Sequence, residues 1–561
     1  MRSLLLLPAR PVAPALLLAL LTLTAGPSAA QNWAWARGEG GPGLDEATNV
    51  DVDAAGNVYV VGRFAGTADF GGVTLTSSGP EDVFAAKYDP SGNVLWARRG
   101  GGGGIEDWGY SVAVDAAGNV YVCGMFTMAA DFGGVTLTSA GARDAFLVKY
   151  DPSGNVLWAR RGGGDAGDRA IDVEVDGAGN VYLAGVYSTT ADFAPFTLTS
   201  VGGGDAFLVK YDPSGTALFA VSGGGATLHD WGNAVALDGS GNIYVSGYFN
   251  TGADFGDQSV VAAGGIDAFV VKYDAAGQAI WARSMGGPGD DLGYALDVDG
   301  AGNAYAAGLF NSGPNATGQG TFGGVTLTSA GVEDAYLVKF DPDGNGVWAR
   351  SGGGTVYDDA VALRVTPAGQ AVLGGEFDVA ATFGSLSLTS AGGGDAYVVV
   401  YDAAGNPSWA MQGGGPGNDW TTGLALVSTG GILVSGVFAE TATFGPHAVT
   451  SAGDIDAFVA RINASATGTE GPSPELAASL ALAPNPSHDA VAVAVVVPAP
   501  QAVTVEVYDA LGRRVATLHE GALSAGRHAF TLDGTRLPPG AYVVRATMEG
   551  RTLTRTLTQV R

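Results

Sequence analysis

Seven aspartates recur along this chain at one point of a repeated sentence: Asp45, Asp107, Asp168, Asp230, Asp291, Asp358 and Asp419. Carboxylates gathered this way could focus negative potential and attract cations. They could equally accept hydrogen bonds from the backbone N–H groups of the Gly-rich loops around them, which strict repetition favours. The following residue breaks the repetition, reading Glu46, Trp108, Arg169, Trp231, Leu292, Asp359 and Trp420. An aromatic platform beside carboxylates suits sugars, which combine apolar faces with hydroxyl edges. The same indoles could instead fill gaps between packed units. Trp108, Trp231, Trp420 and the seven aspartates are therefore the candidate ligand-binding residues.

Other chemistry is poorly supported. A second aspartate set, Asp82, Asp144, Asp205, Asp267, Asp334, Asp395 and Asp456, starts a later strand of each repeat and reads as turn chemistry. Asp341-Pro-Asp343-Gly-Asn345 lacks the downstream Glu of an EF-hand loop, and the five histidines show no zinc-ligand spacing, so no metal site is expected. Glycine runs such as Gly100 to Gly104 open no helix and carry no P-loop lysine. No nucleophile elbow or ordered triad is present, so neither catalytic residues nor a cofactor are expected. The lone Cys123 lies in an apolar strand run and reads as a buried thiol.

The elements that must position these residues follow from a period. Trp35, Trp96, Trp158, Phe219, Trp281, Trp348 and Trp409 are spaced by 61, 62, 61, 62, 67 and 61 residues. Units of this length bury their apolar faces only against neighbours. In one unit, Ser111–Asp115 is a strand and Asp115-Ala-Ala-Gly-Asn119 a tight turn, followed by strand Val120–Phe126. A longer connection leads to strand Asp144–Asp151, the turn Asp151-Pro-Ser-Gly-Asn155 and strand Val156–Arg160. The spacing predicts a four-stranded antiparallel meander with apolar middle strands, repeated seven times, as in an all-β propeller. Arg37, Arg98, Arg160, Arg283 and Arg350 on the outer strands read as charges that blunt edge pairing. The repeat resembles the bacterial seven-bladed β-propeller repeat family across nearly all of residues 33–461. That resemblance implies a fold and little about activity.

The ends of the array test this. The seventh unit stops at Asp456–Arg461 without a Trp-Ala-Arg strand, while the chain opens with a surplus one, Asn32-Trp-Ala-Trp-Ala-Arg37. Trp33 and Trp35 are thus expected to close the ring by pairing with the seventh unit.

Before the array, Arg2 and Arg10 precede an apolar stretch around Leu16 to Leu23, followed by small residues at Ser28 and Ala30, which predicts a secretory leader over 1–30. No later apolar run approaches a membrane span. Residues 31–473 carry 48 Asp+Glu against 17 Lys+Arg, a balance of −31, whereas residues 474–561 carry 7 against 8. Such an acidic domain would repel phosphate, which argues against nucleic acid as a partner. The expected organisation is a propeller over 31–463, a linker over 464–476 and a small C-terminal β-sandwich over 477–561.

The tail carries Pro484-Asn485-Pro486, Tyr508-Asp509-Ala510-Leu511-Gly512-Arg513, then Gly521, Leu523, Ala525, Gly526 and His528, and finally Leu537-Pro538-Pro539-Gly540-x-Tyr542. This ordered set resembles the type A C-terminal sorting domain of the type IX secretion system. The resemblance implies export by that machinery, removal of the tail, and a secreted or outer-surface location, with Arg513 and His528 part of the address. The resulting expectation is a monomeric, non-enzymatic module that binds a glycan or an extracellular protein. A propeller hydrolase or lyase acting on polysaccharide is the alternative.

Overall fold

The repeats fold as antiparallel strands because tight turns, most of them led by Asp, reverse the chain at fixed points. In the first repeat the strands are Asp45–Val52, Val58–Phe64, Asp82–Tyr88 and Val94–Gly102. At the first turn Asp53 Oδ1 accepts from the N–H groups of Ala55 and Asn57, both at 2.9 Å, and Oδ2 accepts from Tyr59 at 3.0 Å. Gly56 closes the turn at φ 84°, a conformation that glycine adopts without a Cβ penalty. Burial pushes the Asp53 carboxyl up, but these hydrogen bonds outweigh it and hold it below its ordinary value.

The computed structural model describes residues 31–312, 318–428 and 430–463, and from the tail 479–483, 490–497, 501–509, 511–523, 526–534, 537–548 and 551–559. The expected leader and linker, and Pro484-Asn485-Pro486, lie outside the described residues. The chain divides into two compact units, Met1–Ala466 and Thr467–Arg561.

Among the described residues the first unit contains six four-stranded sheets, one six-stranded sheet in which the first repeat's four strands are extended by a hairpin of the second, and four separate two-stranded hairpins. None of these sheets closes on itself; successive sheets join through side chains and through backbone pairing of the hairpins. Middle strands such as Val120–Phe126 and Asp144–Tyr150 are buried along their whole length. Seven apolar clusters each combine residues of two successive sheets. One of them packs Val60, Phe64 and Phe84 of the first sheet with Leu433 and Val459 of the seventh. The connection between second and third strands forms a hairpin, such as Ala129–Phe132 with Val135–Thr138, which docks on the preceding sheet. In two repeats it is continuous with its neighbours, giving the long strands Ile243–Phe255 and Gln258–Tyr273, then Ala371–Phe383 and Leu386–Tyr401. Glycine admits the hairpin's aromatic ring: a Cβ on Gly162 would sit 2.2 Å from Phe193 Cε1.

The outer-strand residues have a role beyond the edge-blunting expected of them. Trp96 Nε1 donates to Pro152 O at 3.2 Å, and Arg98 Nε to Gly154 O at 2.9 Å, both in the turn of the next repeat. Arg160, Arg283 and Arg350 repeat the reach to Gly215, Gly344 and Gly405. The guanidinium and indole therefore staple neighbouring repeats.

The surplus first strand performs the same task. Asn32–Glu39 pairs antiparallel with Asp456–Asn463, and Arg37 Nε donates to Gly92 O at 3.2 Å. Trp33 is buried against Phe444, ring centroids 5.0 Å apart, and Thr422 Oγ1 of the seventh repeat donates to Ala47 O of the first at 2.8 Å.

The second unit has a three-stranded sheet (Ser479–Ala483, Ala490–Val497, Gly526–Asp533) and a four-stranded sheet (Arg514–Leu523, Gln501–Asp509, Gly540–Met548, Arg551–Gln559). One core containing Val493, Val505, Val544 and Leu557 joins them as a sandwich.

Deleting residues 32–37 is expected to lower the melting temperature sharply and to create oligomers through the bared Asp456–Asn463 edge. Trp33→Ala should cost about 3–5 kcal/mol in denaturant titrations, as truncation of a buried Trp does. A deletion variant with unchanged melting and a monomeric mass by light scattering contradicts this account.

Candidate functional site

The seven repeating aspartates stand where one sheet hands over to the next. Asp107 Oδ2 accepts from Gly102 N at 2.8 Å and its Oδ1 from Thr127 N at 2.9 Å. Asp168, Asp230, Asp291 and Asp419 make the equivalent bonds. Asp45 does so through Gly41 and Ala65, and Asp358 through Gly354. All seven are buried. The carboxylates therefore face loop N–H groups inside the protein, the backbone-holding role that strict repetition favours. The second aspartate set is buried beside the first. A Cβ on Gly101 would lie 2.7 Å from Asp82 Oδ1 and 3.0 Å from Asp107 Oδ2.

The asymmetric residues that follow start the innermost strands, and each is half-buried. Trp108 lies under Arg63, whose guanidinium carbon is 4.0 Å from the ring centroid. Trp231 carries Arg169 at 5.1 Å and stacks on Tyr248 at 5.8 Å. Trp420 stands opposite Val437. A cavity of about 340 Å³ opens among the innermost strands, lined by Tyr110, Trp231, Asn233, Tyr248, Tyr294 and Arg364. That volume is at the lower end for small-molecule sites, roughly 300–1,000 Å³. Among the three tryptophans Trp231 lines it, whereas Trp108 and Trp420 do not. The tyrosines were missed because the residue type varies at their position: the third residue after each repeating aspartate reads Thr48, Tyr110, Ile171, Asn233, Tyr294, Val361 and Thr422, while Tyr248 lies on a second strand.

A charged group deeper on the same strands was also missed. The sixth residue after each repeating aspartate reads Asp51, Ala113, Glu174, Ala236, Asp297, Arg364 and Ala425. This broken position, which the sequence displayed, places carboxylates from three repeats, joined by Asp172, around an arginine of a fourth. Asp51 bridges to Val114 N at 2.8 Å, Asp172 to Val235 N at 2.9 Å, and Asp297 to Val365 N at 2.6 Å, each in the next repeat. Burial opposes the Arg364 charge, but Asp297, Glu174, Asp51 and Asp172 outweigh it and raise its pKa. Burial pushes Asp51 up to about 6 and Glu174 up to about 8. The described residues contain no cluster of three or more ligating side chains suited to a metal. None of their helices is long and apolar enough to cross a membrane.

Two family models match parts of the chain. Residues 95–125 match a beta-propeller repeat. Residues 485–551 match the FlgD Ig-like domain, in keeping with the sandwich of the second unit. An uncharacterised WD repeat-containing protein of Acanthamoeba polyphaga mimivirus is 23% identical over 504 residues, covering 72% of this chain and 36% of its own. The regulatory protein FlaEY of Caulobacter vibrioides is 27% identical over 277 residues, 45% of this chain and 28% of its own. This chain thus spans about a third of the length of those relatives. Solved structures that overlap it include PorZ, a bacterial surface component of the type-IX secretion system of Porphyromonas gingivalis. It is 12% identical at a TM-score of 0.20, with 94% of this chain and 100% of that one covered. A GH43 protein from Bacillus licheniformis is 11% identical at 0.24, covering 93% and 100%. No residue role is transferred from either.

The repeating aspartates give the fold a pH dependence of definite sign. Burial raises Asp45, Asp107, Asp168, Asp230, Asp291 and Asp419 to about 6, and Asp358 to about 7. Unfolded aspartates titrate near ~3.9. The contribution is complete below that pH and is lost as pH rises through the folded values. Turn aspartates such as Asp89, lowered chiefly by its bond from Asn93, act oppositely, and their contribution is lost in acid. Guanidinium titrations should therefore show greatest stability between roughly pH 4 and 6 and a decline toward pH 8. A rise from pH 5 to 8 contradicts this.

Arg364→Met should cost about 3 kcal/mol at pH 8, because it leaves buried carboxylates without their cation. The loss should shrink at pH 5, where more of those carboxyls are protonated. An equal loss at both values, measured by the same titration, contradicts the electrostatic role.

Proposed function

We propose that this protein is a secreted or surface-attached, monomeric binding module whose first unit is a closed seven-bladed propeller that holds a glycan in the cavity among its innermost strands. The cavity carries the reading: Trp231 stacked on Tyr248, with Tyr110 and Tyr294, supplies apolar faces, while Asn233 and Arg364 supply polar edges. Closure is supported by the pairing of Asn32–Glu39 with Asp456–Asn463 and by the apolar cluster between first and seventh sheets. The leader-like start and the sorting-domain resemblance of the tail support export by the type IX machinery and a location at the outer surface. The seven repeating aspartates serve this reading as scaffold.

An enzymatic reading has one specific observation in its favour. Glu174 is pushed up to about 8 by burial, while Asp172 on the same strand accepts bonds from Ser111 Oγ at 2.7 Å and from Val235 N. Carboxyls with such unlike surroundings can divide acid and base roles.

A panel of oligosaccharides, assayed for binding and for reducing-end release, separates the two. Binding without release is expected. Trp231→Ala should weaken binding at least tenfold and shift stability by less than about 2 kcal/mol, as a partly exposed side chain does. Trp108→Ala and Trp420→Ala, outside the cavity, should have smaller effects. Release that disappears in Glu174→Gln would favour the enzyme, and normal binding by Trp231→Ala would remove the cavity from the account.

A further inference from the structure

Two arginines are held face-on to tryptophans at the start of the innermost strands, and their surroundings differ. Arg63 lies over Trp108, which belongs to the next repeat. Its N–H groups are taken by protein carboxylates: Glu46, directly across the strand pair, at 2.7 Å, and Glu81 at 3.0 Å. Arg169 lies over Trp231, again in the next repeat. Its cross-strand neighbour is Val186, and the position equivalent to Glu81 is Gly204. Among the described residues the Arg169 side chain forms no hydrogen bond and no ion pair, and Arg143 is paired with Glu106 at 2.6 Å. A guanidinium stacked on an indole keeps its in-plane donors free for a planar acceptor, and a carboxylate matches that fork in two bonds.

From this contrast we propose that Arg169 recognises a carboxylate on the ligand, so that the cavity takes a short oligosaccharide bearing a uronic-acid residue. The inference rests on the glycan reading above and adds the ligand's charge to it. The Trp231 ring that Arg169 covers lines the cavity, and so do Tyr110 and Tyr248, both of which feel its charge. A sugar against the aromatic wall thus has the free fork at its edge. The first unit's negative balance does not forbid this. Screening falls off over about 8 Å at physiological salt. The carboxylates of Glu46, Glu81 and Glu106 are already engaged by Arg63 and Arg143.

The test uses the full exported chain in 0.15 M salt and calorimetry with three probes of equal length: a tetragalacturonate, its methyl ester and a neutral cellotetraose. Wild type should bind the tetragalacturonate at least tenfold more tightly than either neutral probe. Arg169→Gln should bring all three to within about threefold of one another, with the neutral probes bound as by wild type. Arg169→Lys should keep part of the preference, since a point charge replaces a fork. Neutral probes retained by Arg169→Gln show that the cavity is intact in that variant. Equal binding of acidic and neutral sugars by wild type, or a preference that survives Arg169→Gln, overturns the role of Arg169 and leaves the glycan reading standing. Absence of binding to all three probes by wild type overturns both.

Discussion

The constraint on which the first unit depends is that no repeat can bury both faces of its sheet alone. Strands such as Asp144–Tyr150 are apolar on both sides, so each sheet must find a partner on each face. The seven apolar clusters answer this by lying between sheets, not within them. Terminal sheets are the difficulty in any such array. The chain meets it by completing the last sheet with its first strand, which also brings Arg37 to the turn of the first repeat. Each staple, hairpin and buried aspartate is a repeated device for fixing one sheet to the next.

That economy shapes the chemistry. Most polar groups that attract attention in the sequence are consumed by it. The repeating aspartates hold loops, the turn aspartates hold reversals, and the outer arginines hold neighbouring turns. Burial leaves the loop aspartates about half protonated near pH 6, so the acidic formal charge overstates the charge the folded unit carries there. Function is left to positions where the repeats differ, and these fall on the innermost strands. There one repeat contributes an aromatic ring, another an arginine and another a carboxylate, all lining one cavity.

Arg63 and Arg169 show how a small change converts scaffold into a possible contact. The same arginine-on-indole stack occurs in both places, but carboxylates surround one, while Val186 and Gly204 surround the other. A saturated guanidinium is structure. An unsaturated one beside an aromatic cavity is available to a ligand. The deeper group around Arg364 is a third variation, in which one cation holds four carboxylates in place by charge and three of those carboxylates also tie adjacent strands through backbone N–H groups.

The sequence by itself determined the period, the strand order within a repeat, the turns and the exchange of the first strand, because these depend on local residue types at fixed spacing. It also marked the division between an acidic array and a tail of different composition. It left open whether Trp108, Trp420 and the repeating aspartates meet a ligand, since exposure is not written in spacing. Tyr110 and Tyr294 share one repeat position, but Tyr248 and Arg364 come from two others, so periodicity alone does not bring the four together. Tertiary structure decided that they share a cavity, because packing sheet on sheet brings the innermost strands together and turns unrelated deviations into neighbours.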